Sequence, residues 1–237
     1  MKSKLLLLHG ALGTSMQFQI LKEKLLPHLD VFDFNFSGHG SNKSEGDFSI
    51  DLFCTDALEY LKEHHLENVN IFGYSMGGYV ALRLGRDYPD KINKIITLAT
   101  KFDWSPETAT KEARMLIPEI IEEKIPKFAE DLQRRHAPND WKSIVRRTSE
   151  MMTGLGNGKA MKMEDFKTID HHILICIGDE DKMVSIEESE RVANYLKNGA
   201  LKIIPGFKHP IETNDPDVLA SLILNFLDGI PYASNTD

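Results

Sequence analysis

The 237 residues carry 28 Lys+Arg against 36 Asp+Glu, a formal charge of −8 at neutral pH. Phosphate backbones attract basic surfaces, so this balance argues against nucleic-acid binding as the main function. With 41% hydrophobic and 27% charged residues, the chain has the composition and length of one large globular domain, and disordered or fibrous classes are excluded.

Leu5 to Leu8 form a short apolar run closed by His9-Gly10, the pattern of a strand buried on both faces of a parallel sheet. The run is too short for a signal peptide, and no stretch approaches the length of a membrane span. Thr14-Ser15-Met16-Gln17 has capping-box spacing and predicts a helix to about Leu26, before Pro27. Strand, turn and helix recur with Val31 to Phe36, Ser37-Gly38-His39-Gly40-Ser41, and an amphipathic segment from about Ser49 to His64. They recur again with Val69 to Phe72, a Gly-bearing turn, and a helix from Met76 that stops before Pro89. Lys94 to Ala99 predicts a fourth strand and His172 to Ile177 a fifth. A helix follows, opened by the capping box Ser185-Ile186-Glu187-Glu188 and ended by Asn198-Gly199. Leu201 to Ile204 is the sixth strand, Asp215-Pro216 opens a last helix to about Leu227, and the tail from Pro231 is expected to fray. Each parallel pair needs a crossover, so the fold class is α/β with a doubly wound, mostly parallel sheet of about six strands.

Residues 102–167 break this rhythm, with helical patterns in place of strands. The first is opened by Ser105-Pro106-Glu107, where Ser suits an N-cap and Pro the first helical position. The segment is near neutral and is expected to form a helical lid (cap) over a core made of residues 1–101 and 168–237. Trp104, Met115, Phe128, Trp141, Met151 and Met152 suit either an acyl pocket or lid-to-body packing. Arg134-Arg135 and Arg146-Arg147 fit a solvated helix face better than a carboxylate clamp. Thr153 to Lys159 lacks the first glycine and the Ser/Thr of a phosphate-binding loop, so a hinge is expected there. The pairs His64-His65 and His171-His172 lack zinc-site spacing. Cys54 and Cys176 are expected to be inert, half-buried thiols in a reducing, cytoplasmic compartment.

Gly73-Tyr74-Ser75-Met76-Gly77 lies between a strand and a helix, the context that separates a nucleophile elbow from a chance G-x-S-x-G match. A sharp strand-to-helix turn strains its central residue and needs small neighbours. The helix start also sets a backbone N–H and the positive end of its dipole beside the Ser75 hydroxyl. Serine is a weak nucleophile at neutral pH, so it needs a histidine to take its proton and an acid to fix that histidine's tautomer. Of the histidines after Ser75, namely His136, His171, His172 and His209, only His209 follows a carboxylate on a post-strand loop. Asp179, Glu180 and Asp181 sit where the fifth strand ends, at the sheet edge where α/β folds place their sites, and Asp181 is the preferred acid.

Leu8-His9-Gly10, the Gly73 to Gly78 elbow, Gly178-x-x-Asp181-x-x-Val184 and Gly206-x-x-His209 occur in this order along nearly the whole chain. Together they resemble the α/β-hydrolase superfamily. The resemblance implies Ser75 as nucleophile, His209 as general base and then acid, and Asp181 as its orienting partner. It also implies the backbone N–H groups of Ala11 and Met76 as an oxyanion hole. The implied activity is hydrolysis of a small or medium carboxylic ester or thioester, with no metal or organic cofactor. A small-molecule ester is thus the expected partner, with neither nucleic acid nor a membrane span, and the oligomeric state stays open. The same fold and triad also serve lactonases, C–C bond hydrolases and lyases related to menaquinone biosynthesis, and some relatives are ligand-sensing receptors. Serine at the elbow argues against haloalkane dehalogenases and epoxide hydrolases, whose relatives use aspartate. The first strand is similar to the third of the usual eight. Asn35 stands where many relatives carry Asp, Lys208 where many carry Gly, and Asp103 where some place the acid.

Overall fold

The computed structural model describes residues 2–230, so the tail from Pro231, expected to fray, lies outside the described residues. The first half runs β1 (Lys4–Leu8), α1 (Gln19–Leu25), β2 (Asp30–Asp33), α2 (Ile50–Glu63), β3 (Val69–Tyr74), α3 (Met76–Asp87) and β4 (Ile92–Leu98). Five helices follow without a strand: α4 (Pro106–Met115), α5 (Pro118–Lys124), α6 (Pro126–His136), α7 (Trp141–Gly154) and α8 (Met163–Phe166). The chain then returns through β5 (His172–Gly178), α9 (Ile186–Tyr195), β6 (Gly199–Ile204) and α10 (Pro216–Leu227). The strands form one sheet in the order β2-β1-β3-β4-β5-β6, every neighbouring pair parallel. This is the doubly wound α/β sheet that the sequence predicts.

The apolar runs are continuous because the central strands are buried on both faces. Leu5 and Leu7 of β1 pack with Leu21 and Leu25 of α1 and Leu219 and Ile223 of α10. Leu6 and Leu8 join the opposite cluster with Phe53 of α2, Val80 of α3 and Val192 of α9. In β4 one extra residue enters the ladder, since Val69 pairs with Ile92 but Ile71 with Ile95. Ile92 and Ile95 therefore share one face although they are three apart. Ile121 of α5, Leu132 of α6, and Trp141 and Ile144 of α7 belong to that same cluster. Among the described residues no helix is long and apolar enough to cross a membrane.

Ser49, Ser105, Ser185 and Asp215 cap their helices through side-chain oxygens, as their spacing predicts. Thr14 does not cap. A 3-10 turn at Ser15–Phe18 precedes α1, and the Gln17 amide instead donates to Glu212 Oε1 at 2.8 Å. A partner far along the chain has displaced the local one. Gly199 also departs from expectation, because α9 ends at Tyr195 and Gly199 opens β6. A Cβ there would lie 2.4 Å from the Ala193 carbonyl oxygen and 2.7 Å from Leu196 Cβ, so strand and helix meet at a point that excludes a side chain. Both thiols are fully buried rather than half-buried, and desolvation pushes Cys54 up to about 12.

Gly199→Ala is expected to destabilise by about 1–3 kcal/mol through overpacking. Gly46→Ala, where nothing lies within 4 Å of the added carbon, is expected to be neutral or slightly stabilising. Urea unfolding of the two variants compares them directly, and equal midpoints would contradict the packing account.

Candidate active site

The chain leaves β3 at Tyr74, turns at Ser75 with φ 51° and ψ −116°, and enters α3 at Met76. Positive φ at a residue with a side chain costs energy and persists only where the surroundings enforce it. Here Ser75 N–H donates to the Leu98 carbonyl at 2.8 Å. The Ser75 carbonyl accepts from Thr100 Oγ1 and from Gly78 N–H, each at 3.0 Å. A Cβ on Gly73 would lie 2.4 Å from the Gly77 oxygen, and one on Gly77 would lie 2.1 Å from the Leu8 oxygen. Only glycines permit this approach.

Beyond β6 a turn brings His209 back over β3, where Tyr74 Oη donates to its carbonyl at 3.0 Å. His209 Nε2 lies 3.4 Å from Ser75 Oγ, and Nδ1 lies 2.9 Å from Asp181 Oδ2. The Asp181 side chain is fully buried, and its other oxygen accepts from the amides of Met183 at 2.7 Å and Val184 at 2.9 Å. Burial alone would raise this carboxyl. The His209 hydrogen bond, its charge and the two amides outweigh burial and hold Asp181 below the ordinary carboxylate value. An ionised Asp181 assigns the imidazole proton to Nδ1 and leaves the Nε2 lone pair facing Ser75.

The rival acids lie elsewhere. Asp179 accepts from Gly206 N–H at 2.6 Å, Glu180 pairs loosely with Lys208, and Asp103 pairs with Arg191. Ala11, Ser75, Met76 and His209 line one cavity of about 50 Å³, with Tyr79, Trp104, Met151, Met152 and Leu155 among the other walls. Of the six apolar candidates, Trp104, Met151 and Met152 therefore face the cavity. Met115 is exposed, and Trp141 and Phe128 belong to the core packing. Among the described residues no three His, Cys, Asp or Glu side chains cluster as a metal centre requires.

Sequence reasoning missed a set of residues behind the Ala11 loop. Leu12 has φ 57°, and its carbonyl accepts from Arg135 Nη1 at 2.9 Å and from His136 Nε2 at 3.0 Å. His136 Nδ1 accepts from Gly40 N–H at 3.0 Å. His9 Nδ1 donates to the Gly10 carbonyl at 2.9 Å while Nε2 accepts from Phe36 N–H at 3.1 Å. His39 lies between them, its ring 5.1 Å from that of His9 and 5.7 Å from that of His136. The solvated-face reading holds for Arg134 and Arg146 but not for their neighbours. Arg135 reaches Leu12, and Arg147 stacks 3.8 Å over the Phe48 ring while bonding Ser44 and Gly46. Nothing local marks a histidine in a charged helix as buried.

Residues 4–153 match the family described as alpha/beta hydrolase fold. The chain belongs to this family. A Bacillus subtilis protein named "Putative 2-succinyl-6-hydroxy-2,4-cyclohexadiene-1-carboxylate synthase" is 23% identical over 94% of this chain and 89% of its own length. A Mycoplasma genitalium protein named "Putative esterase/lipase 2" is 26% identical over 97% of this chain and 90% of its own. The solved structure of MenH from S. aureus superposes with a TM-score of 0.76 at 21% identity, covering 96% of this chain and 94% of that one.

In this alpha/beta hydrolase the buried histidines make stability pH-dependent. Desolvation lowers His9 to about 3 and His136 to about 4, and holds His39 well below its ordinary 6.5. Below pH 6.5 the unfolded chain binds protons that the folded chain refuses, so unfolding becomes easier as pH falls toward those values. The slope is up to about 1.4 kcal/mol per pH unit for each histidine. Urea midpoints are expected to drop steadily from pH 7.5 to 5. The His136→Gln variant should be less stable at pH 7.5 and show a shallower drop; an unchanged slope would contradict the assignment.

Proposed function

We propose that the chain is a serine hydrolase that cleaves a small carboxylic ester through an acyl-enzyme. The observation that carries this reading is the continuous chain from Ser75 Oγ through His209 to the buried Asp181 carboxylate, beginning at a residue held in a strained turn. Ser75 Oγ attacks the ester carbonyl while His209 Nε2 takes its proton. The resulting oxyanion is held by the N–H groups of Ala11 and Met76. Met76 is the first residue of α3, so its N–H precedes the helix's own ladder. The imidazolium gives its proton to the departing alcohol. Water then adds to the acyl carbon with His209 as base, and the acid leaves as Ser75 regains its proton.

The residue 102–167 segment serves in this proposal as a lid over a core of residues 1–101 and 168–237. A cavity of about 50 Å³ is far smaller than the several hundred Å³ of drug-sized sites. Short acyl groups therefore fit the structure as it stands, and longer ones require the helices to part. Similarity over 94% of the chain to the Bacillus subtilis protein, whose name ends in synthase, favours a second reading, a lyase of the same fold and triad.

A fluorophosphonate probe is expected to label the wild type and to leave Ser75→Ala unlabelled. Hydrolysis of p-nitrophenyl esters should fall at least about a thousandfold in Ser75→Ala, and by roughly 10²- to 10⁴-fold in Asp181→Asn with little change in KM. Labelling that persists in Ser75→Ala would sink the assignment. Labelling of wild type without turnover of any ester would favour the lyase.

A further inference from the structure

Besides Ser75, His209 and Tyr79, the cavity wall carries two charged side chains: Lys101, which follows β4, and Glu112 of α4. Glu188, from the first turn of α9, lies behind them and is 3% exposed. Lys101 Nζ donates to the Met183 carbonyl at 3.1 Å. Its two carboxylate neighbours are beyond hydrogen-bond reach, Glu112 Oε1 at 3.7 Å and Glu188 Oε2 at 4.0 Å. An ammonium has three donors, so two of them lack a hydrogen-bonded protein acceptor among the described residues. Glu188 Oε1 is likewise buried without a partner. Glu112 and Glu188 are buried and the Lys101 side chain is 17% exposed. Backbone hydrogen bonds from Phe102 and Asp103 support the Glu188 carboxyl, while the Lys101–Glu112 pair is loose. A loose pair at a largely shielded site gains from a polar group that completes it.

The gap has a definite chemistry. An oxygen set beside Lys101 Nζ and Glu112 Oε1, which are 3.7 Å apart, can lie about 2.8 Å from both. It must accept from the ammonium and donate to the carboxylate. A hydroxyl does both, whereas a carbonyl only accepts, a carboxylate meets Glu112, and an ammonium meets Lys101. We infer that Lys101 and Glu112 form a hydroxyl-binding subsite, so that preferred substrates carry an alcohol group on the portion that enters the cavity. Burial raises Glu188 to about 7 against the pull of Lys101, so the cluster carries little net charge to attract an ion instead. This inference rests on the hydrolase reading and narrows it to a substrate class.

The test compares esters in which a hydroxyl replaces a methyl. For the acyl side these are p-nitrophenyl 3-hydroxybutanoate and 3-methylbutanoate; for the alcohol side, 2-hydroxyethyl and propyl butanoate. One pair is expected to show kcat/KM higher for the hydroxylated ester by about tenfold or more, the worth of a hydrogen bond to a charged group. Lys101→Met and Glu112→Leu should each abolish that preference, bringing the kcat/KM ratio of the two esters in the pair to about one. The near-isosteric Glu112→Gln, better able to keep the fold, should reduce the preference. Absence of preference in both pairs, or its survival in the variants, would overturn the subsite. Equal loss on all substrates would show a mere tether between α4 and the core, and would overturn it too. Fluorophosphonate labelling of Ser75 without any hydroxyl preference removes this inference alone, whereas neither labelling nor turnover removes the hydrolase reading with it.

Discussion

Where α3 leaves β3, backbone lies directly against backbone, and that contact organises the rest of the molecule. Gly77 sits against the Leu8 carbonyl of β1, and Gly73 against Gly77 itself. The chain can reverse there only by forcing Ser75 into positive φ, which lifts its hydroxyl clear of the sheet. Because all six strands run parallel, the loops after β1, β5 and β6 reach the same edge. Ala11, Asp181 and His209 thus approach Ser75 from three distant parts of the sequence without long connecting arms.

What was legible in the sequence was legible because its signals are local. Four leucines in a row, a glycine pattern across a strand–helix junction, and serines at helix starts carry their meaning within a few residues. The sheet, its parallel order and the meeting of Ser75, Asp181 and His209 follow from such signals. The illegible parts depend on partners supplied by folding. Gln17 left its capping position for Glu212, 195 residues away, and Gly199 is needed because of Ala193 and Leu196 rather than as a helix stop. Periodicity marked residues 102–167 as helical, but it did not say that Met151 would face the cavity and Met115 the solvent. His136 carries no local mark at all.

The protein treats its buried ionisable groups in two opposite ways. Asp181 is sealed from solvent yet supplied with two amides and an imidazole, so it keeps its charge. His9 and His136 are sealed with carbonyl and amide partners that suit a neutral ring, and His39 with one carbonyl on Nδ1 and a buried, unpartnered Nε2, so burial keeps all three uncharged. The first arrangement polarises His209. The second stiffens the loops that flank it.

The double hold of Arg135 and His136 on the Leu12 carbonyl has a mechanical side. Raising α6 would pull both donors off the stretch that bears Ala11, so any doorway into the cavity would be hung on α6 as its fixed post.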